Sequence, residues 1–271
     1  LIGEDIYLNR DVFNGVLEEG VAVVRDQSDV TCSNGVLHYV NGNFAIKKRV
    51  PLPVYFDLCN QTEFAANVAN YRKVGGVAFG YGATGFKEIT WTGVQTYNLS
   101  WQPQPLGWNG DQIEVFRLRP SSGQQNVTFT TPVIIKGRYK IWVSYRTNAS
   151  ASSQVKALFD GVQTSRLINL KEGGNKPSGT GSIPDRVLES QGYKRYIYPW
   201  TSNAVNSRLV GIVEVETTGR HKFTLTSDVD GGQAWFDIVE FRPVDMDQLW
   251  PKFKAGFSGG LVNRADAPTD N

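Results

Sequence analysis

Between residues 76 and 245 the chain is a succession of short segments in which side-chain character alternates every second residue. Tyr139–Arg146 is the clearest: Tyr139, Ile141, Val143 and Tyr145 fall on one face, and Lys140, Trp142, Ser144 and Arg146 on the other. A period of two is the mark of a strand, because successive side chains leave opposite sides of the pleat. Leu209, Val213 and Val215 share a side of a second segment, and His221, Phe223 and Leu225 a side of a third. In a fourth, Trp235, Val239 and Phe241 oppose Phe236 and Ile238, so that strand is expected to be buried on both faces. Lys136-Gly137, Asp160-Gly161 and Thr218-Gly219 supply turns. Residues 62–71 alone read as a helix, with Thr62 as cap and Phe64 and Val68 four residues apart. The expected fold is mostly β with little helix: a β-sandwich or jelly roll.

Four zones follow from the same pattern. Residues 1–50 hold short apolar runs between the turn pairs Asn14-Gly15, Asn34-Gly35 and Asn41-Gly42. Residues 51–75 open with Pro51-Leu52-Pro53 and read as a linker carrying the short helix. Residues 76–245 are the sandwich. Residues 246–271 lose periodicity and read as a polar tail. Lys171–Ser182 holds four glycines and no large apolar residue, which marks a long exposed loop.

Composition removes several classes of function. Charged residues make up 20% and hydrophobic residues 40%, ordinary for a folded chain. Twenty-eight Lys and Arg against 26 Asp and Glu give +2, too little for electrostatic capture of nucleic acid. No apolar run reaches the roughly 18 residues of a membrane-spanning helix. Cys32 and Cys59 lack metal-ligand spacing, and their pairing in a disulfide stays open beside two free thiols. The single methionine is Met246 and residue 1 is Leu, from which a longer precursor is expected.

Ser33-Asn34-Gly35-Val36-Leu37-His38-Tyr39-Val40 resembles the Asn-Gly-Val-Ile-His box that closes fasciclin domains, and residues 8–25 fit the strands before it. The resemblance covers residues 1–50 and implies structural roles for Asn34, Gly35 and His38. A whole fasciclin domain is roughly three times longer than this piece, so residues 1–50 are expected to expose an apolar face. Four further segments resemble the jelly-roll module that follows a fasciclin domain in Bacteroidetes cell-surface lipoproteins. They are 127–142, Gly192-Tyr-Lys-Arg-Tyr196, Thr217-Thr-Gly-Arg-His221 and Asp237-Ile-Val-Glu-Phe-Arg-Pro243. Such proteins are commonly encoded beside TonB-dependent, SusC/SusD-like uptake systems. The two resemblances imply a non-enzymatic binding or assembly module at the outer membrane's outer surface. Its partners would be a transporter or other surface lipoproteins, and its membrane attachment a lipid anchor absent from this chain. A stand-alone carbohydrate-binding or cell-adhesion protein is the alternative, and a glycan hydrolase the least favoured.

Aromatic side chains are the main resource for such binding, with 14 Phe, 11 Tyr and 7 Trp. Trp91, Tyr97, Trp101 and Trp108 crowd one stretch, with Gln102, Gln104, Asn109 and Asp111 nearby. Tyr196, Tyr198 and Trp200 recur at period two, next to Lys194 and Arg195. Flat aromatic faces stack on sugar rings while amides and charges fix the hydroxyls; the same clusters also suit core packing or a protein interface. Asp228 and Asp230 precede two glycines and echo the start of a calcium loop, but the later acidic ligands are missing and a hairpin turn is the favoured reading. No cofactor is called for, and no nucleophile–base constellation surrounds His38 or His221.

Overall fold

The computed structural model describes residues 5–13, 16–44, 49–66, 71–72, 76–79, 85–92, 99–115, 117–123, 125–173, 183–200 and 205–267. The Asn14-Gly15 turn, Val68, Tyr97 and most of the Lys171–Ser182 loop lie outside them. The chain divides into two compact units, residues 1–49 and 50–271.

The first unit is built of hairpins. β1 (Tyr7–Leu8) pairs with β4 (Val21–Ala22), β2 (Asp11–Phe13) with β3 (Val16–Glu18), and β5 (Val30–Cys32) with β6 (Gly35–Leu37). Asn34 sits in the β5–β6 turn, and His38 Nδ1 lies 3.2 Å from Asp29 Oδ1 at an exposed position. No side chain of residues 5–10, 17–44 or 49 is buried. Nine large hydrophobic side chains stand exposed: Ile6, Tyr7, Leu8, Leu17, Val30, Val36, Leu37, Tyr39 and Phe44.

The second unit is a β-sandwich. One sheet of five strands runs β15 (Val162–Gln163), β14 (Val155–Phe159), β19 (Gly219–Ser227), β12 (Asn126–Ile134), β9 (Ile89–Trp91). The other runs β16 (Tyr193–Lys194), β18 (Val205–Val215), β13 (Gly137–Arg146), β20 (Ala234–Pro243), β11 (Asp111–Val115), β10 (Leu99–Pro103), β8 (Val77–Phe79). β7 (Val54–Asp57) completes it on β20. The main core fills the space between the sheets, with Tyr139, Ile141, Val143 and Tyr145 of β13 facing Phe129, Phe223 and Leu225.

Residues 51–75 are therefore not a linker. β7 is a strand of the sandwich, and Leu58, Cys59 and Phe64 are buried in its core. The helix α1 shrinks to Thr62–Ala65, with Gln61 rather than Thr62 as the residue before its first turn. Residues 246–267 are not a free tail either. β21 (Lys252–Lys254) lies between β17 (Ile197–Tyr198) and β22 (Leu261–Val262), and this small sheet covers the outer face of the large one. A second core forms there from Tyr196, Ile197, Val205, Ile238 and Phe253. Period-two reading failed here because the covering segments are too short and irregular to show periodicity.

Two bulges also broke the alternation. Val143 faces Val239 while Tyr145 faces Phe236, so Asp237 and Ile238 together stand opposite Ser144. That extra residue turns both Phe236 and Val239 to the main core, where strict alternation puts them on opposite faces. On β18 a similar slip puts Val210, not Leu209, in the core.

The covering layer is tied down by charge. Lys194 Nζ meets Glu240 at 2.8 Å and the carbonyl of Gln248 at 3.0 Å. Arg242 pairs with the same Glu240 and donates to the carbonyls of Asp247, Trp250 and Pro251. Burial and the Arg242 charge push the Lys194 ammonium down to about 7. Glu240 is held below the usual carboxylate range because its two cations outweigh burial. Beyond the helix α2 (Asp185–Ser190), Arg195 and Lys252 share the carboxylate of Asp185.

Candidate functional site

β7 and β11 occupy the same edge of β20 one after the other, Asp57 opposite Ile238 and Ile113 opposite Phe236. Where one strand hands over to the other, three aspartates gather: Asp57 ends β7, Asp111 begins β11, and Asp237 sits in the β20 bulge. All three are buried.

Each carboxylate has fixed partners. Asp57 accepts from the Cys59 backbone N–H at 2.8 Å, Asn109 Nδ2 at 2.8 Å and an Arg72 nitrogen at 3.1 Å. Asp111 Oδ2 accepts from Trp101 Nε1 at 2.9 Å and Arg72 Nε at 3.2 Å. Asp237 Oδ2 accepts from the Trp108 backbone N–H at 2.9 Å and the Tyr196 hydroxyl at 2.7 Å. Oδ1 of Asp111 and Oδ1 of Asp237 have no partner among the described residues.

Three buried carboxylates with one guanidinium, on Asp57 and Asp111, cannot all ionise cheaply. Burial, then the neighbouring Asp57, raise Asp111 to about 7. Burial raises Asp57 despite its hydrogen bonds, and raises Asp237 well above the ordinary range. Burial works against the Arg72 charge, but Asp111 and Asp57 outweigh it and Arg72 holds its proton more firmly. The thiol of Cys59 is buried and pushed up strongly by burial, so it is an inert group.

Asp57, Cys59 and Asp111 bring potential metal-ligand atoms within 4.8 Å of one another. The Arg72 guanidinium stands against both carboxylates and already supplies a positive charge there. Asp228 and Asp230 do not join this group. Asp230 accepts from the backbone and hydroxyl of Ser121 and from Arg119, and Asp228 pairs with Lys156.

A pocket of about 310 Å³ opens beside the junction. Tyr55, Asp57, Asn60, Gln61, Arg72, Trp108 and Asn109 line one side, and Glu88, Thr130 and Arg220 the other. Glu88 and Arg220 pair through two contacts of 3.0 and 2.7 Å. Gln61 is buried, and its Nε2 has no partner among the described residues. Asn109 takes a left-handed backbone (φ 57°), as does Gly110 after it (φ 73°). A Cβ on Gly110 would stand 2.8 Å from the ring of Phe257, which packs over this turn and is itself exposed.

The residues expected from sequence divide between the core and this site. Trp101 is 1% exposed and Trp91 8%, so neither offers a face to a ligand; Trp101 serves instead as a donor to Asp111. Trp108 and Asn109 do line the pocket, the Trp108 ring packing on Phe253 at 4.8 Å. Lys194, Arg195 and Tyr196 are buried, the first two in the ion pairs above and Tyr196 on Asp237. Tyr198 packs against Trp250 at 6.0 Å, and Trp200 lies under the Arg195 guanidinium. These side chains do not form one stacking face, because the chain bends between Lys194 and Ile197 and turns at Pro199. Tyr55, Asn60, Gln61 and Arg72 were missed, since their stretch read as a linker. The signal available was Asp57, Asn60 and Gln61 gathered directly after the strand-like Val54-Tyr55-Phe56.

No protein-family model matches the sequence, and no curated protein matches it. Solved structures give distant likenesses. A Paenibacillus xanthan lyase is 16% identical over 62% of this chain and 13% of its own, with a TM-score of 0.34. A Podospora anserina GH26-CBM35 β-(1,4)-mannanase is 11% identical over 64% and 29%, TM-score 0.33. The catalytic domain of a GH87 α-1,3-glucanase bound to nigerose is 11% identical over 74% and 30%, TM-score 0.35. This chain spans less than a third of each, and likenesses this loose carry no argument about activity.

Proposed function

We propose that the sandwich is a non-catalytic recognition module that binds a polyhydroxylated ligand, a glycan, in the pocket beside the aspartate junction. The observation that carries this reading is the buried Nε2 of Gln61, without a partner among the described residues, in a wall that also holds the Asp57–Asn109–Arg72 array. Sugar hydroxyls both donate and accept, so carboxylate, amide and guanidinium groups held in one orientation match them, and Trp108 and Tyr55 add ring carbon. Both carboxylates of the pocket wall are spoken for, Asp57 by three donors and Glu88 by Arg220. This favours binding over the free acid–base pair of a glycosidase.

Retention on a glycan affinity gel and a glycan array test it, with Gln61→Leu and Asn109→Gly as variants. The glycine keeps the left-handed backbone available at 109. Wild type should be retained and both variants released, with melting temperatures checked in parallel. Equal retention of all three, or none by wild type, overturns the proposal.

A second reading rests on the nine exposed hydrophobic side chains of residues 1–49. Exposed apolar side chains in that number suit a protein partner. With the fasciclin and lipoprotein resemblances, that partner would be an outer-membrane transporter or a neighbouring surface lipoprotein, the module being accessory to uptake at the cell surface. Co-purification from native outer membranes that is lost on Val36→Glu with Leu37→Glu supports this reading; co-purification unaffected by the pair removes it.

A further inference from the structure

A second groove, of about 530 Å³, shares no lining residue with the pocket. Its walls come from the two sheets: Phe159, Asp160, Val162, Gln163, Thr164 and Ser165 from the β14–β15 hairpin, and Ile212–Glu214, Glu216 and Thr217 from β18 and its turn. His221 lines it as well, stacked on Phe159 at 5.0 Å and held by Asp160 at 2.7 Å.

Both walls end in strand edges. β15 is the terminal strand of its sheet. β18 pairs with β13 along its whole length, but β16 covers its other edge only at Ser207 and Arg208. The Arg166 backbone N–H closes that edge at the Val210 carbonyl, and the chain at Thr164–Ser165 crowds Gly211. From Ile212 to Val215 the edge has no strand partner among the described residues, a length of about 13 Å. An unpaired edge presents backbone N–H and C=O groups ready to accept another strand.

The side chains around this edge specify what would pair with it. Val162 is 72% exposed and Ile212 51%, an apolar pair on opposite walls. Asp160, Glu214 and Glu216 are carboxylates, and no Lys or Arg among the described residues lines the groove; Arg138 approaches Glu214 at 3.5 Å from outside. We infer that the groove docks an extended segment of a partner polypeptide in which lysine or arginine alternates with apolar residues. The segment adds as a strand to Ile212–Val215, sets alternate apolar side chains on the inner side against Val162, Phe159 and Val213, and turns its cations to Glu214 and Glu216, which share the outer face with Ile212. This does not rest on the glycan reading.

The test is fluorescence anisotropy on the full chain with a labelled, capped peptide of about eight alternating lysines and valines. Two control peptides replace the lysines by glutamate, or the central valines by proline, which removes backbone donors. The lysine peptide should bind. The controls, and the variant Glu214→Gln with Glu216→Lys, should each lose about tenfold or more, with the variant's melting temperature unchanged. Asn109→Gly, at the other pocket, should bind the peptide as wild type does, so failure of the glycan reading and of this one are separable. No binding of the lysine peptide overturns the inference. So does equal binding of the proline peptide, which would mean charge attraction without strand addition. So would self-association of the chain abolished by the Glu214/Glu216 variant in place of peptide binding, which would assign the edge to a second copy.

Discussion

Replacing Asp111 by asparagine should flatten the pH dependence of stability. In the folded chain Asp111 is fully buried and raised from 3.8 to about 7. The folded state therefore keeps a proton that the unfolded chain gives up above about pH 4. Stability is highest below that point and falls as pH rises through the window from about 4 to about 7. One group of this kind contributes a slope of about 1.4 kcal/mol per pH unit, so close to 4 kcal/mol across the window. Asp57 and Asp237 are shifted the same way and add to the slope. Asp111→Asn keeps an oxygen to accept from Trp101 Nε1 and removes the charge. Urea unfolding from about pH 4.5 to 8.5, followed by tryptophan fluorescence, measures the effect. All seven tryptophans lie beyond residue 50, so the signal reports the sandwich alone. The variant's slope should be shallower by about 1.4 kcal/mol per pH unit, and at pH 8 it should be at least as stable as wild type. Equal slopes, or a variant weakened equally at every pH, would show that Asp111 is an ionised, stabilising partner of Arg72, and the reasoning would fail.

Other consequences follow from the same geometry. Glu240→Gln leaves Lys194 and Arg242 buried without a counter-charge and should cost roughly 3–5 kcal/mol in urea unfolding, while a loss under about 1 kcal/mol would mean the pair adds little. Trp101→Phe removes a donor from the buried Asp111 carboxylate and should cost at least about 1–3 kcal/mol by the same measurement. Gly110→Ala strains a left-handed position and pushes on Phe257; a loss of about 1–2 kcal/mol and weakened glycan retention are expected, and unchanged retention would detach this turn from the site.

The strand pattern carried the architecture a long way. Tyr139, Ile141, Val143 and Tyr145 do line the main core, and the Asp160-Gly161 pair does make a two-residue hairpin turn. What period two could not carry was the second layer. Trp142 was read as facing away from the main core, and it does; yet it is buried, under Lys194 and bonded to Gln248. Lys194 and Arg195 were read as ligand-binding charges because they stand beside Tyr196, Tyr198 and Trp200 in the sequence. Here they are buried because Glu240 and Asp185 meet them inside. No local pattern announces a carboxylate 46 residues away. Aromatic density misled in the same way, since Trp91 and Trp101 serve the core and an internal hydrogen bond.

The candidate site lies where the regular pattern fails. A β20 of strict alternation would keep its residues in step with β13 throughout. The extra residue at Asp237–Ile238 instead lets β20 change facing, at the point where β7 gives way to β11 along its edge. That handover leaves no single strand to cover the edge, and Asp57, Asp111 and Asp237 collect in the gap with Arg72 and Asn109 drawn in by their charge. A continuous strand along β20 would remove the gap and the wall of the pocket with it. Deleting Ile238 to restore the register should therefore do more than cost stability. If the deleted chain still folds, Phe236 and Val239 should both stay in the main core in regular alternation while glycan retention is abolished, and a folded deletion variant that binds as wild type would show that the bulge does not build the site.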